Sequence, residues 1–117
     1  MQSASGVSLA MELIETPVFT RQVLELLPDE EYRELQLYLV LRPEAGALIP
    51  HSGGLRKLRW RLPGRAKRGG ARVIYYWRSA TGRLFLLFLY AKNVRSDLRP
   101  DELRILRDLV EPEGNEG

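Results

Sequence analysis

Cysteine is absent from the chain and histidine occurs once, at His51. The first absence excludes a disulfide framework and a thiolate zinc site, and it fits a reducing compartment. The second excludes a pair of histidines working as acid and base and leaves His51 as a loop residue. No apolar run approaches the ~18 residues of a membrane-spanning helix, and the opening MQSASGVSLAMELIE has neither the basic start nor the long apolar centre of a secretion signal. A cytoplasmic protein that does not engage membranes is the expectation. The most informative gap concerns charge of one sign: no Asp or Glu lies between Glu44 and Asp97, whereas twelve Lys and Arg fall within residues 45–96. Metal-assisted cleavage of phosphodiesters uses carboxylates close to the phosphate, so this gap argues against a metal site. The pairs Gly53-Gly54 and Gly69-Gly70 lack the GKS or GKT ending of a phosphate loop, so no nucleotide hydrolase is indicated and no cofactor is expected.

What is present is one domain's worth of chain: 117 residues, 44% hydrophobic and 28% charged. The net charge of +3 conceals a strong separation. Residues 1–44 carry eight acids and three bases, and residues 97–117 carry seven acids and three bases, on either side of the acid-free basic block. A focused positive field flanked by acidic elements points to a polyanion as partner. We divide the chain into a flexible leader over 1–10, a single domain over 11–110 and an acidic, disordered tail over 111–117.

Hydrophobic periodicity supplies the elements. Met11, Leu13 and the Pro17-Val18-Phe19 stretch predict a short first strand that Pro17 ends, and Phe19 to Leu27 predicts a helix stopped by Pro28. PDEEYRELQLYLVLRP begins with three acids, as a helix N-terminus favours, and its Tyr32, Leu35, Tyr38, Leu39 spacing outweighs the period-two alternation of Leu35, Leu37, Leu39 and Leu41. A turn-rich loop, RPEAGALIPHSGG, follows. Leu58, Trp60 and Leu62 then alternate with Lys57, Arg59 and Arg61, so a strand sets apolar side chains on one face and three cations on the other. ARVIYYWR and RLFLLFLYAK predict two more strands, the latter apolar on both faces and hence central. A last helix opens at Pro100 with Leu103, Leu106, Leu109 and Val110 as its stripe. The result is an α+β fold with helices on one side of a small, twisted, mostly antiparallel sheet. The basic strand face must then lie away from the helices, because burying unpaired Lys57, Arg59 and Arg61 costs several kcal/mol per ion.

A cationic groove without carboxylates suits metal-free cleavage of RNA, in which the ribose 2′-OH attacks the adjacent phosphate and fixed arginines stabilise the extra negative charge. Crowding by other cations favours the neutral form of a lysine, which makes Lys57, Lys67 or Lys92 a candidate general base or acid. Such chemistry takes RNA and leaves DNA intact. Among the aromatics, Tyr76 shares a strand face with Arg72 and is the best candidate to stack on a nucleobase; Trp60 and Trp77 are better assigned to the core, and Tyr90 adjoins Lys92. The same groove serves equally a non-catalytic RNA- or ribosome-binding module, or a protein whose partner is an acidic peptide.

The motifs PxxG, GGLRKLR, KRGGARVIYY, LLFLYAKN and DLRPDEL, in that order, resemble the RelE/HigB-type toxins of bacterial type II toxin–antitoxin systems across most of residues 12–110. The resemblance implies a RelE-like fold, an mRNA interferase that enters the ribosomal A site, contacts rRNA and cuts translated mRNA, and a cognate antitoxin that inhibits it. It places the basic catalytic set on Lys57, Arg59 and Arg72, with Lys67, Arg68, Tyr90 and Lys92 around it. Combined with the strand-face reading, this assigns catalysis to Lys57, Arg59, Arg72 and Lys92 and RNA contacts to Arg56, Arg61, Lys67, Arg68, Tyr76 and Tyr90. Some relatives carry a tyrosine near the last helix and an arginine after the lysine of the YAK motif; here the nearby positions are Arg99 and Asn93.

Overall fold

The computed structural model of the chain describes residues 11–63 and 69–116. The leader over 1–10 lies outside them, as do Lys67 and Arg68. Five strands, β1 Glu12–Glu15, β2 Ala47–Leu48, β3 Arg56–Trp60, β4 Ala71–Arg78 and β5 Arg83–Ala91, form one sheet in the order β1-β5-β4-β3-β2. Strands β2 to β5 form an antiparallel meander, and β1 adds in parallel to β5. The helices are α1 Pro17–Leu26, α2 Asp29–Leu41 and α3 Pro100–Glu116. The architecture is α+β with a mostly antiparallel sheet, as the alternation predicts.

Local chemistry explains the element ends. Thr16 caps α1, its Oγ1 accepting the Phe19 N–H at 3.0 Å, and Pro17 takes the first helical position, where its missing N–H removes no helix bond. Pro17-Val18-Phe19 is therefore helix, not the end of a strand. In α2 the acids Asp29, Glu30 and Glu31 occupy the first turn; Leu35 and Leu39 are buried while Leu37 and Leu41 face solvent, as the helical period requires. The short strand β2 lies inside the segment read as loop, since a two-residue strand leaves no periodic signal.

The arrangement of helices corrects the sequence reading. Two separate apolar clusters sandwich the sheet. Phe19 and Val23 of α1, Leu27 just after it, and Leu35 and Leu39 of α2 meet Leu58, Val73, Tyr75, Leu84 and Leu86 on one face. Leu106 and Val110 of α3 meet Leu55, Ile74, Phe85, Leu87 and Leu98 on the other. Helices thus cover both faces, and α3 shares its face with the basic strand residues. The apolar-on-both-faces pattern of β5 already required two covers. A bulge supports this second cluster: Ile74 pairs with Phe88 and Tyr75 with Leu86, which leaves Leu87 as an extra residue turned into the α3 side. Leu109, assigned to the apolar stripe, is instead 55% exposed, so the stripe of α3 is Leu103, Leu106 and Val110. The helix runs on to Glu116, through the segment that composition assigns to a disordered tail.

Candidate active site

Because α3 covers only part of its face, the β3–β4 end of that face stays open. Register brings the cations together there. Arg59 pairs across with Arg72, and Arg72 with Tyr90, so one row of three side chains crosses β3, β4 and β5; the next row begins with Lys57 opposite Ile74. Like charges directly opposite each other in an antiparallel pair repel. The Arg59–Arg72 pairing is therefore unfavourable for folding alone and points to an anion as its purpose. Lys57, Arg59, Arg72 and Lys92 all line a single cleft of about 670 Å³, together with Ala45, Ala47, Ser96 and Asp97.

Arg72 is the fixed member. It is only 7% exposed, and its Nη1 donates to the carbonyls of Gly69 at 2.6 Å and Ala71 at 3.2 Å, so the guanidinium is oriented before any ligand arrives. The glycine turn makes this possible. Gly70 has φ +63, and a Cβ there would stand 2.5 Å from the Trp60 carbonyl, so only glycine lets β4 approach β3 this closely. Arg59, by contrast, is exposed, and Lys57 and Lys92 are half-buried. Tyr90 is 5% exposed, and its hydroxyl has no hydrogen-bond partner among the described residues. Burial first, then the negative charge of Asp97, push its phenol above the ordinary value, against the pull of Arg72 and Arg95. It stays a neutral phenol with a proton to donate. A buried unsatisfied hydroxyl is an exception that calls for an explanation, and here it lies beside a cationic row.

Asp97 is the residue that reasoning from the sequence missed. The acid-free block ends one residue before it, yet the segment between β5 and α3 carries it back to the cleft, where Lys57 Nζ donates to its Oδ1 at 3.3 Å. Burial works against its ionisation, but the Leu98 N–H, Lys57 and Lys92 together hold its carboxyl below the usual value. Two runs of consecutive residues can be counted for charge, but the folding-back of their ends cannot. Among the described residues no group of three or more His, Cys, Asp or Glu is placed to hold a metal.

The RNA-contact assignments divide. Arg56 pairs with Tyr75 and so lies on the α1–α2 face, opposite the cleft; its Nη1 donates to the carbonyls of Glu44 at 3.1 Å and Gly46 at 2.7 Å. From that same face the Tyr75 hydroxyl donates to the Pro43 carbonyl and accepts the Gly46 N–H, both at 2.8 Å. Arg56 and Tyr75 thus clamp the PxxG turn whose neighbours Ala45 and Ala47 wall the cleft. Arg56 shapes the site from behind rather than touching a ligand in it. Arg61 is exposed on an adjoining hollow with Glu31, Glu34, Tyr38, Trp60 and Arg59, so Arg59 borders both. Tyr76 does share its face with Arg72, but four residues further on, about 13 Å along an extended strand. There the guanidinium carbons of Arg78 and Arg107 lie 5.2 Å and 5.0 Å from its ring centroid. It belongs to the seat of α3. Trp60 and Trp77 pack on the first apolar cluster, as expected. His51 is exposed in the turn before β3.

Comparison with known proteins meets this geometry at the same place. The family model for the RelE toxin of the RelE/RelB toxin–antitoxin system matches residues 40–112, from the end of α2 through the cleft strands and into α3. The chain belongs to the RelE toxin family. Its fold agrees: a variant of the E. coli toxin RelE with two arginines changed to alanine, solved in the free state, superposes with a TM-score of 0.55. That match covers 86% of this chain and 96% of the other at 13% identity, a likeness of fold alone. Membership of the family makes this protein the toxin of a toxin–antitoxin pair. Among the described residues no helix is long and apolar enough to cross a membrane.

Proposed function

We propose that the protein is a ribosome-dependent mRNA endonuclease that cuts translated message without a metal ion, and that a cognate antitoxin holds it inactive. The observation that carries this reading is the convergence of Lys57, Arg59, Arg72 and Lys92 on one open cleft, with Arg72 fixed in advance by two carbonyls. The cleft binds a stretch of mRNA backbone with Arg59 and Arg72 on the non-bridging oxygens of one phosphate. The ribose 2′-oxygen attacks that phosphorus; the O2′–P bond forms as the P–O5′ bond breaks, giving a 2′,3′-cyclic phosphate and a 5′-hydroxyl. One proton leaves O2′ and one reaches O5′, and Lys57 and Lys92 line the cleft to exchange them, with the buried Tyr90 hydroxyl behind Arg72 as a further donor once a ligand draws it in. The developing charge on phosphorus falls between guanidiniums that need little reorganisation. Arg61, exposed just after β3, and the exposed Arg59 face outward, where rRNA can be met. Lys67 and Arg68, which precede β4 in the sequence, are assigned the same role from their charge alone. An antitoxin with acidic side chains complements this field.

Induction of the protein in growing bacteria, with mRNA 5′ ends mapped, tests the reading, and purified protein added to programmed ribosomes tests it directly. Growth arrest with new ends inside translated codons is expected, with a DNA message analogue left whole. Intact message with salt-sensitive RNA binding would establish instead a module that docks without cutting.

A further inference from the structure

From the placement of Asp97 we infer a specificity device within the proposed cleft: its carboxylate occupies Lys57 as an internal stand-in for phosphate, so that free RNA must displace it and is bound weakly. This rests on the reading of the cleft as an RNA site.

Among the described residues Asp97 is the only carboxylate lining the cleft. Its oxygen sits 3.3 Å from Lys57 Nζ, a contact longer than the ~2.7–2.9 Å of a tight charge-assisted bond and so one that a phosphate oxygen can replace at closer range. The side chain is 65% exposed, yet its position is not left to chance. The Leu98 N–H donates to the same Oδ1 at 3.0 Å, and Arg95 Nη2 donates to the Asp97 carbonyl at 3.3 Å. Arg95 in turn is held by Glu102 Oε1 at 2.5 Å, and that oxygen also accepts the Arg99 N–H at 2.8 Å at the start of α3. A chain of contacts therefore runs from Lys57 through Asp97, Arg95 and Glu102 to the first turn of α3. Nothing in the core requires a carboxylate here: the residue is at the surface, and a neutral Asn would keep the cap on Leu98.

The device is a bias and not a lock. An exposed ion pair contributes little, so a ligand that brings several phosphates into register, as message fixed on a ribosome does, overcomes it, whereas a loose strand loses part of its advantage. Counterions make the difference measurable. In the wild type, phosphate at Lys57 replaces a protein carboxylate; without Asp97 it replaces a solution anion, and the salt dependence of binding steepens.

The test is fluorescence anisotropy of a short labelled oligonucleotide, 2′-O-methylated throughout so that it cannot be cut, titrated at several KCl concentrations without ribosomes. Asp97→Asn should bind about two- to fivefold more tightly than wild type at low salt, with a slope of log affinity against log salt steeper by about one ion or less. Asp101→Asn removes the same formal charge from a residue that pairs with Arg99 outside the cleft, and it should leave the slope unchanged. Adding Lys57→Ala to Asp97→Asn should abolish the gain. Equal shifts for the two Asp variants would reduce the effect to net charge and overturn the inference, and weaker binding by Asp97→Asn would make Asp97 a contributor to binding and overturn it too. Ribosomal cleavage by the wild type, measured alongside, keeps the two claims apart. If message is cut while Asp97→Asn binds no tighter, only the device fails; if the wild type neither cuts nor binds, both fall.

Discussion

Strand β4 carries an arginine and a tyrosine neighbour at each of its two ends on the same face, and the ends are used differently. At one end Arg72 stands between the exposed Arg59 and the buried Tyr90, its own Nη1 satisfied by two backbone carbonyls, and the two arginines line a cleft. At the other end Arg78 and Arg107 lie over the Tyr76 ring; Arg78 Nη2 donates to the Val110 carbonyl of α3 and Arg107 Nε to the Gly53 carbonyl. The residue types match, but cover decides the role. Where α3 lies above, guanidiniums meet rings and backbone carbonyls and tie the helix to the sheet; where α3 does not reach, they line the open cleft. Charge counting along the chain cannot make that distinction.

The largest effect should come from the open end. Arg72→Ala removes the one pre-oriented guanidinium and should lower the single-turnover rate of mRNA cleavage on ribosomes by about 10²- to 10³-fold, as loss of a fixed transition-state donor does. Melting followed by circular dichroism should show a much smaller penalty, on the order of 1 kcal/mol, from the lost bonds to Gly69 and Ala71. A variant that unfolds outright would place Arg72 with the structural arginines and erase the contrast between the ends. Tyr90→Phe sharpens the same point. Its hydroxyl has no partner to lose among the described residues, so stability should hold or rise slightly, while cleavage should fall about tenfold if the hydroxyl hydrogen-bonds the reacting phosphate.

Much of this site was legible. Alternation along GGLRKLRWRL placed Lys57 and Arg59 on one face, and the central character of β5 followed from its double-sided apolar pattern, because strand period and burial are local properties. Arg56 lies apart from the cleft for an equally physical reason: a cation one residue out of phase points to the other side of the sheet, and the backbone carbonyls of Glu44 and Gly46 that it meets there carry no signature in sequence. Asp97 and the cover of α3 over half a face depend on the path of a connection, which no periodicity reports. The PxxG motif was recognisable before it was explicable; its spacing is the span over which one buried hydroxyl, Tyr75, can serve the Pro43 carbonyl and the Gly46 N–H at once.

That pair of hydrogen bonds gives the next effect in size. Tyr75→Phe leaves the Gly46 N–H without its partner in a buried setting and should destabilise the fold by about 1–3 kcal/mol. It should also loosen the Ala45–Ala47 wall, so that KM for ribosomes rises while the maximal rate is largely kept. At the covered end the expectation is reversed. Tyr76→Leu deletes the ring that two guanidiniums overlie and should reduce stability by about 1 kcal/mol with cleavage per folded molecule unchanged. A selective loss of cleavage in Tyr76→Leu would return Tyr76 to the RNA-binding set and collapse the distinction between the ends.

The smallest effect lies at the joint between the two ends, where Glu102 accepts from Arg95 and from the Arg99 N–H. The Arg99 N–H first, then Arg95, hold its carboxyl below the 4.5 of a free glutamate. A carboxyl whose value is lowered by folding stabilises the fold fully above its unfolded value, and that contribution fades as pH falls through 4.5 towards the lower folded value. Glu102→Gln, which cannot ionise, should therefore melt lower than wild type at neutral pH, by the few tenths to about 1 kcal/mol of an exposed charged contact. The two curves should converge on acidification, because protonated Glu102 and Gln then offer the same uncharged oxygen. A gap that persists in acid would mean that Glu102 acts by shape alone, and the first turn of α3 would then be anchored by its apolar stripe without help from the ion pairs that link it to the cleft.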